Sequence, residues 1–379
     1  MTGGAKNSIL VINNGSSSVK FQLFLQHEEL PLLAKGLIYN LGVAPSFVAT
    51  IETNSLEHPA VEKELLSTDC THESAIHFIM QWIGAQKKNW GINAVVHRIV
   101  HGGLKFTNSL RITPEILADL EKLTPLAPLH QPHNLAAVKI ISTLMPNVMQ
   151  IACFDTAFHA HHSPLFTEYA LPEKIRDKGI RRYGFHGLSY EWIVHSLRLD
   201  EPKLAEGRII AAHLGNGASL CAIKNGISID TTMGMTALDG LPMGSRCGAL
   251  DPGAVIYMIR ELGLSADEVE SILYNDSGLL GLSQWTNDVS LLQNSDAPAA
   301  QFALNYYCLK TAQFMGMMAV ALGGVDGIVF TGGIGEHSTL VRDKILHQLT
   351  LFRPFATCII PANEERMMAM HSIPLFNMV

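Results

Sequence analysis

The six cysteines, Cys70, Cys153, Cys221, Cys247, Cys308 and Cys358, are scattered, and none forms a C-x-x-C pair. That excludes a zinc-ribbon spacing and argues against a disulfide framework. Free thiols in a reducing cytoplasm are the expectation. Charge is scarce too: 16% of residues are charged, with a formal net charge of -7. Without a positive excess, neither nucleic acid nor a membrane surface is an expected partner. An anionic ligand would have to be met by local cations. No long apolar run is present. The longest, around Met315 to Val325, is short for a membrane span and broken by glycines. No apolar h-region follows Met1 to Asn7, so no secretory leader is expected. What the sequence does have is core: 47% hydrophobic residues over 379 positions, enough for two domains.

Two segments share one plan. Asn7 to Asn13 is apolar and β-branched, which predicts a buried strand. Val19 to Leu25 alternates, with Val19, Phe21, Leu23 and Leu25 opposite Lys20 and Gln22, which predicts a second. Asn14-Gly15-Ser16-Ser17 joins them. A P-loop or dinucleotide turn joins strand to helix, so this segment is neither. From Arg208 the plan recurs: an apolar strand, Asn216-Gly217-Ala218-Ser219, an alternating strand, then Lys224-Asn225-Gly226, a hairpin signal. The recurrence predicts a duplicated domain whose halves each open on a hairpin.

Other segments read as α/β. Asn93 to Gly103 and Met149 to His159 each run from an apolar strand to a polar end. Asp326 to Leu349 reads as strand, glycine-rich turn and helix, with Ser338 near the helix start. Pro252 and Ser265 mark helix openings, and Asn305 to Leu322 predicts an apolar helix for a core or a subunit contact. Polar groups gather at strand ends, where open α/β sheets bind ligands.

Three stretches, Asn13 to Ser18, His213 to Gly217 and Gly332 to Glu336, combine glycine with accessible backbone N–H groups suited to phosphate oxygens. A plain turn explains any one of them; three in one duplicated chain favour phosphate. Lys20 adds a point charge after the first. Arg98 and Arg246 stand in apolar or glycine-rich surroundings, where a guanidinium needs a carboxylate, a phosphate or a structural ion pair. His130 and His186 are placed to donate to a phosphoryl oxygen or to serve a structural bond. Asp155 ends a strand and Glu364 lies in "PANEE"; carboxylates near phosphate commonly hold Mg²⁺, directly or through water. "HAHH", His159 to His162, suggests zinc, but no matching acid or cysteine spacing supports it.

The motifs "VINNGSSSVKF", "VVHRIVHGG", "LAPLHQPHN", "CFDTAFH", "RRYGFHGLSY", "AAHLGNGASL", "MGSRCGALDPG", "FTGGIGEHS" and "PANEE" together resemble the acetate kinases, in order and spacing, across almost the whole chain. The resemblance implies two duplicated actin/ribonuclease H-like α/β domains with a central interdomain cleft. The expected bounds are 1–154 plus 366–379 for the first domain and 155–365 for the nucleotide-binding second. It implies reversible transfer of the γ-phosphoryl group of ATP to acetate, giving acetyl phosphate and ADP. Mg²⁺ would be required, with Mn²⁺ as a substitute, and a homodimer is expected.

By resemblance, Asn13 and Glu364 are the metal-site residues, and Asp155, His186 and Arg246 the catalytic ones. Arg98 is the acetate clamp, His130 a further phosphoryl contact, and Val100, Leu129, Phe185 and Ala237 surround the methyl group. Nucleotide contacts fall to Lys20, to His213, Leu214, Gly215, Asn216 and Gly217, to Asp288, and to Gly333, Ile334, Gly335, Glu336 and His337. Three departures stand out. Ala237 replaces the family's usual proline, Ser290 stands where an arginine is usual, and the connection from Glu336 to Asn363 is shorter than customary. Acetate is the expected preference, with propionate accepted as the alternative acid.

Overall fold

The computed structural model describes residues 6–15, 18–52, 60–86 and 90–376; Ser16 and Ser17 of the first glycine-serine turn lie outside them. The chain divides into two compact units, Met1–Ala157 with Asn363–Val379, and Phe158–Ala362. The chain leaves the first unit three residues later than the sequence suggests and re-enters it three residues earlier, so Asp155 and Glu364 belong to the first unit.

In the first unit β1 (Lys6–Asn14), β2 (Val19–Leu25), β3 (Leu32–Tyr39), β4 (Ser46–Ile51) and β5 (Ala60–Leu65) form an antiparallel meander. β6 (Trp90–Ile99) adds parallel to β1, β7 is the short Leu110–Arg111, and β8 (Met149–Phe154) lies parallel to β6. The sheet order is β5-β4-β3-β2-β1-β6-β8-β7. β1 is central, which is why Ile9, Leu10, Val11 and Ile12 are all buried instead of alternating. Leu10, Ile12 and Val95 pack against Ile76, Ile79 and Ile141 from the helices His72–Ala85 and Gln131–Leu144. The opposite face meets the helix Glu364–Phe376, through buried Met367 and Met368. Each such apolar side chain taken out of water contributes about 1.5–3 kcal/mol.

The second unit repeats the scheme. β9 (Arg208–Leu214), β10 (Ala218–Lys224) and β11 (Ile227–Thr231) are antiparallel; β12 (Gly327–Thr331) and β13 (Ala356–Ile359) extend the sheet in parallel. The order β11-β10-β9-β12-β13 matches β3-β2-β1-β6-β8, with the same strand directions. Asn225 and Gly226 both take left-handed φ, 54° and 73°, as a tight two-residue hairpin requires. Ile209, Ala211, Cys221 and Ile223 face the helix Gly187–Asp200. The long helix Pro298–Leu322 packs along β10 and β9; proline in its first turn starts it earlier than its apolar run suggests. Ser265 and Glu268 form the capping box of Ala266–Asn275. Among the described residues, no helix is long and apolar enough to cross a membrane.

Candidate active site

In the first unit, strand register gathers the polar groups. Ile12 lies beside His97 on parallel strands, so Asn13 and Arg98 come next, side by side, on the face covered by Glu364–Phe376. Asn13 pairs across the hairpin with Lys20, which puts that exposed lysine on the same face. Asp155 stands just past β8, its N–H on the Ile99 carbonyl at 3.2 Å.

Arg98 Nε lies 2.8 Å from Asp155 Oδ1 and Nη2 lies 2.5 Å from Oδ2, a fork-to-fork pair. Arg98 Nη1 donates to Asn13 Oδ1 at 3.3 Å, and Asn13 Nδ2 donates to Glu365 Oε1 at 3.2 Å. The fork that the resemblance gives to acetate is therefore held here by Asp155. Burial alone would lower the pKa of Arg98, but Asp155, with Glu364 and Glu365, outweighs it and raises the value. Glu364 keeps some exposed surface, yet crowding by protein lifts its carboxyl above the usual range. Arg98 and Lys20 oppose that rise and Asp155 adds to it.

Those carboxylates suit a hard divalent cation, whose charge would relieve the crowding around Glu364. Among the described residues no three His, Cys, Asp or Glu side chains form a metal cluster. Mg²⁺ held here would therefore keep water or substrate oxygens in most of its positions, which is its usual habit. Asn13 Oδ1 accepts from Arg98 and retains a second lone pair.

Around this cluster, buried Val100 gives its N–H to Asn134 Oδ1 at 3.0 Å, and Asn134 Nδ2 donates to the Asn14 carbonyl at 2.8 Å. Asn134 thus ties the end of β6 to the first turn. Leu129 is 39% exposed, and His130 directly precedes the helix Gln131–Leu144. His101 accepts the Gly103 N–H at Nδ1, 2.9 Å away, and burial pulls its pKa down to about 4 against the opposing charge of Asp155.

The second unit assembles a different group. His213 and Ser219 are cross-strand partners, and the alternation that buries Ile209, Ala211 and Cys221 turns both toward the start of Gly187–Asp200. There His186 adopts left-handed φ 57° and ψ 22°. Its ring stacks on His213 with centroids 4.2 Å apart, and its Nδ1 lies 2.9 Å from Ser219 Oγ. His213 Nδ1 in turn lies 2.9 Å from Ser189 Oγ.

Gly217 lies beneath. A Cβ there would stand 3.5 Å from His186 Cε1 and Nε2, and 3.7 Å from Arg246 Nη1. An imidazole and a guanidinium thus approach one glycine from the same side. Arg246 Nη1 donates to the Ala237 carbonyl at 3.0 Å, and the guanidinium lies 5.9 Å from the Tyr274 ring centroid. Its loop approaches Asn216 so closely that a Cβ on Gly244 would be 2.1 Å from Asn216 Oδ1. Phe185 is buried, its carbonyl accepting from His159 Nε2 at 3.0 Å. His159 and His162 both reach Ser228 Oγ, at 2.8 Å and 2.6 Å, so these two histidines of "HAHH" serve a buried serine.

The glycine-rich turn expected after β12 is instead a short helix, Gly332–His337. Two braces hold it despite its glycines. The Glu336 carboxylate accepts the Gly332 and Ala362 N–H groups at 3.0 Å and 2.9 Å, and Arg342 donates to the Gly335 and Glu336 carbonyls at 2.8 Å and 2.9 Å. Glu336 thus spends its carboxylate on backbone, whereas a Cβ on Gly333 would meet open space. Ile334 is half-buried and His337 exposed. Asp288 caps Val289–Gln293 by accepting the Ser290 N–H at 2.7 Å, and Asn287 Nδ2 donates to Asn216 Oδ1 at 3.2 Å. That places the Asp288 segment beside the β9–β10 turn, where the Gly215 N–H meets the Gly217 carbonyl at 3.0 Å and Leu214 is buried.

Sequence reasoning did not nominate Glu365, Tyr190 or Ser219, although all three fall inside the motifs quoted above. Grooves near Asn305 and His347, and near Asn93 and Met149, include none of the nominated residues.

Comparison with known proteins identifies the family. The model of the acetokinase family matches residues 8–369. An acetate kinase from Rhodopseudomonas palustris is 44% identical over 344 residues, 90% of this chain and 85% of that protein. The crystal structure of an acetate kinase from Porphyromonas gingivalis superposes with a TM-score of 0.85 at 33% identity, covering 98% of this chain and 100% of that one. A propionate kinase structure from Francisella tularensis gives 0.87 at 32% identity, covering 96% and 98%. The chain belongs to the acetokinase family.

Proposed function

We infer that the chain works as an acetate kinase, moving the γ-phosphoryl group of ATP reversibly onto an acetate oxygen. The single observation that carries this reading is the placement of His186 and Arg246 on the same side of the Gly217 backbone. Hydrogen-bond donors of these two kinds suit the equatorial oxygens of a phosphoryl group in transfer.

An acetate oxygen attacks phosphorus as the bond to the β-phosphate oxygen breaks, and ADP leaves with the electron pair. Acetate is already ionised near neutral pH, so the reaction needs alignment and charge neutralisation, not a strong base. Arg98 would present its guanidinium to the acceptor carboxylate, which competes with Asp155 for the fork. Asp155 then acts as a positioning carboxylate. Glu364 and Asn13, with Asp155, would hold Mg²⁺, largely through water; when bound, the ion neutralises phosphate charge. Lys20 and the segments around Gly215, Asp288 and Gly333 would contact the nucleotide phosphates.

Propionate is the second reading. Ala237 in place of the usual proline supports it, as does the likeness to a propionate kinase. One methylene is worth about 1–3 kcal/mol in an apolar pocket, too little for strict exclusion. A homodimer is supported by the helix Pro252–Arg260, which has no buried residue although Ile256, Tyr257 and Ile259 are apolar. Acyl phosphate formation from ATP with acetate and with propionate, at matched kcat/KM, tests the function. No acyl phosphate from either acid would overturn it, and a propionate preference would replace the first reading by the second.

A further inference from the structure

Behind the His186 imidazole lie two hydroxyls with no access to solvent. Tyr190 and Ser219 are each 0% exposed. The Tyr190 hydroxyl hydrogen-bonds Ser219 Oγ at short range, and Ser219 Oγ lies 2.9 Å from His186 Nδ1. The three groups form a line from the interior of Gly187–Asp200 out to the ring. The far edge of that ring, Cε1 and Nε2, faces Gly217 on the side of Arg246.

The protons along this line are fixed by what each atom can do. Phosphoryl oxygens only accept, so Nε2 must carry the hydrogen that meets one. In a neutral imidazole Nδ1 is then a bare lone pair. The Ser219 hydroxyl hydrogen fills it. Ser219 Oγ has then spent its donor, and it accepts from the Tyr190 O–H. Each bond polarises the next in a dry interior. Without the Tyr190 hydroxyl, the Ser219 O–H loses the bond that polarises it toward Nδ1, and the ring is freer to take the tautomer that cannot donate from Nε2.

We propose that Tyr190 is a positioning residue for phosphoryl transfer, holding the His186 proton on Nε2 through Ser219. The proposal rests on the reading of His186 as a phosphoryl contact, and it concerns residues that this reading does not itself require.

The experiment compares the full-length protein with Tyr190→Phe, Ser219→Ala, the double variant and His186→Ala. It uses steady-state kinetics with ATP and acetate, thermal unfolding, and ¹⁵N NMR of labelled histidines at a pH where imidazoles are neutral. We expect Nε2–H at His186 in the native protein and a shift toward Nδ1–H in Tyr190→Phe. kcat should fall on the order of tenfold, the worth of one hydrogen bond, with both KM values nearly unchanged. The double variant should lose no more activity than Ser219→Ala, because both changes cut one line. An unshifted tautomer in Tyr190→Phe overturns the proposal, as does a shifted tautomer with unaltered kcat or additive losses in the double variant. If Tyr190→Phe does not fold, Ser219→Ala is judged by the same tautomer and kcat criteria. Full activity in His186→Ala removes the underlying reading instead. Its inactivity beside a normal Tyr190→Phe removes this proposal alone.

Discussion

The Arg98 guanidinium meets the Asp155 carboxylate edge to edge, through two parallel N–H···O bonds of 2.8 Å and 2.5 Å. Deleting one partner of such a pair leaves a buried charge behind, at a typical cost of about 3–5 kcal/mol. Arg98→Ala should therefore lower Tm as well as activity. Arg98→Lys keeps the charge and loses the fork. Its acetate KM should rise about tenfold or more, with a smaller loss of Tm. Acetate saturation curves alongside thermal unfolding check both, and an unchanged acetate KM in Arg98→Lys would take Arg98 out of the acceptor site.

Glu364 gives a pH dependence of defined sign. Its carboxyl binds a proton more tightly in the folded state than when unfolded, chiefly because it is crowded by protein. The stability tied to that proton is present below the ordinary glutamate value of about 4.5 and is lost as pH climbs through the raised folded value. Glu364→Gln should abolish that slope and be the more stable protein above this range. Its activity should drop by about 10–100-fold, the usual effect of losing a carboxylate that orients metal-bound water. Tm measured across pH, with and without MgATP, checks both statements; added MgATP should stabilise the variant less than the parent.

Gly217→Ala separates folding from chemistry. The added methyl would lie 3.5 Å from the His186 ring and 3.7 Å from Arg246 Nη1, ordinary contact distances that the fold can accept. It would also occupy the space where a phosphoryl group meets those donors. Stability should stay within about 0.5 kcal/mol of the parent, while kcat falls about 100-fold, as a displacement of roughly 1 Å can cause. Denaturant unfolding and initial rates measure the two effects independently.

Ser290→Arg restores the cation usual in the family at an exposed position, and the Asp288 cap uses only the backbone N–H of residue 290. The ATP KM should fall by about two- to fivefold, the worth of an exposed ion pair, with the acetate KM unchanged. The gain should shrink at high salt. An ATP KM indifferent to the substitution would place residue 290 away from the nucleotide.

Alternation in Val19–Leu25 and the Asn225-Gly226 pair announce their strands and turn directly, because both signals are local. The two hairpins, β1 with β2 and β9 with β10, occupy matching places in the two sheets, which is why the duplication shows in sequence. Gly332–His337 is hidden from such reading. Three glycines argue against a helix, and the Glu336 and Arg342 bonds that stabilise it depend on chain brought from elsewhere. Arg98 shows the same divide. An arginine in an apolar run announces its need for a carboxylate, but choosing Asp155 requires the parallel pairing of β6 with β8. Ser219 and Tyr190 look ordinary in a list of residues; only strand register and helix phase bring their hydroxyls together.

Asn13 and Glu365, bonded at 3.2 Å, are 352 positions apart, and the uninterrupted stretch Phe158–Ala362 comes between them. During synthesis the ribosome must deliver the whole of that stretch before Asn13 can meet Glu365. A nascent chain can thus build its second unit while the first is still missing a part of itself. A product stalled before Asn363 lacks the helix Glu364–Phe376, and with it the carboxylate that Asn13 bonds.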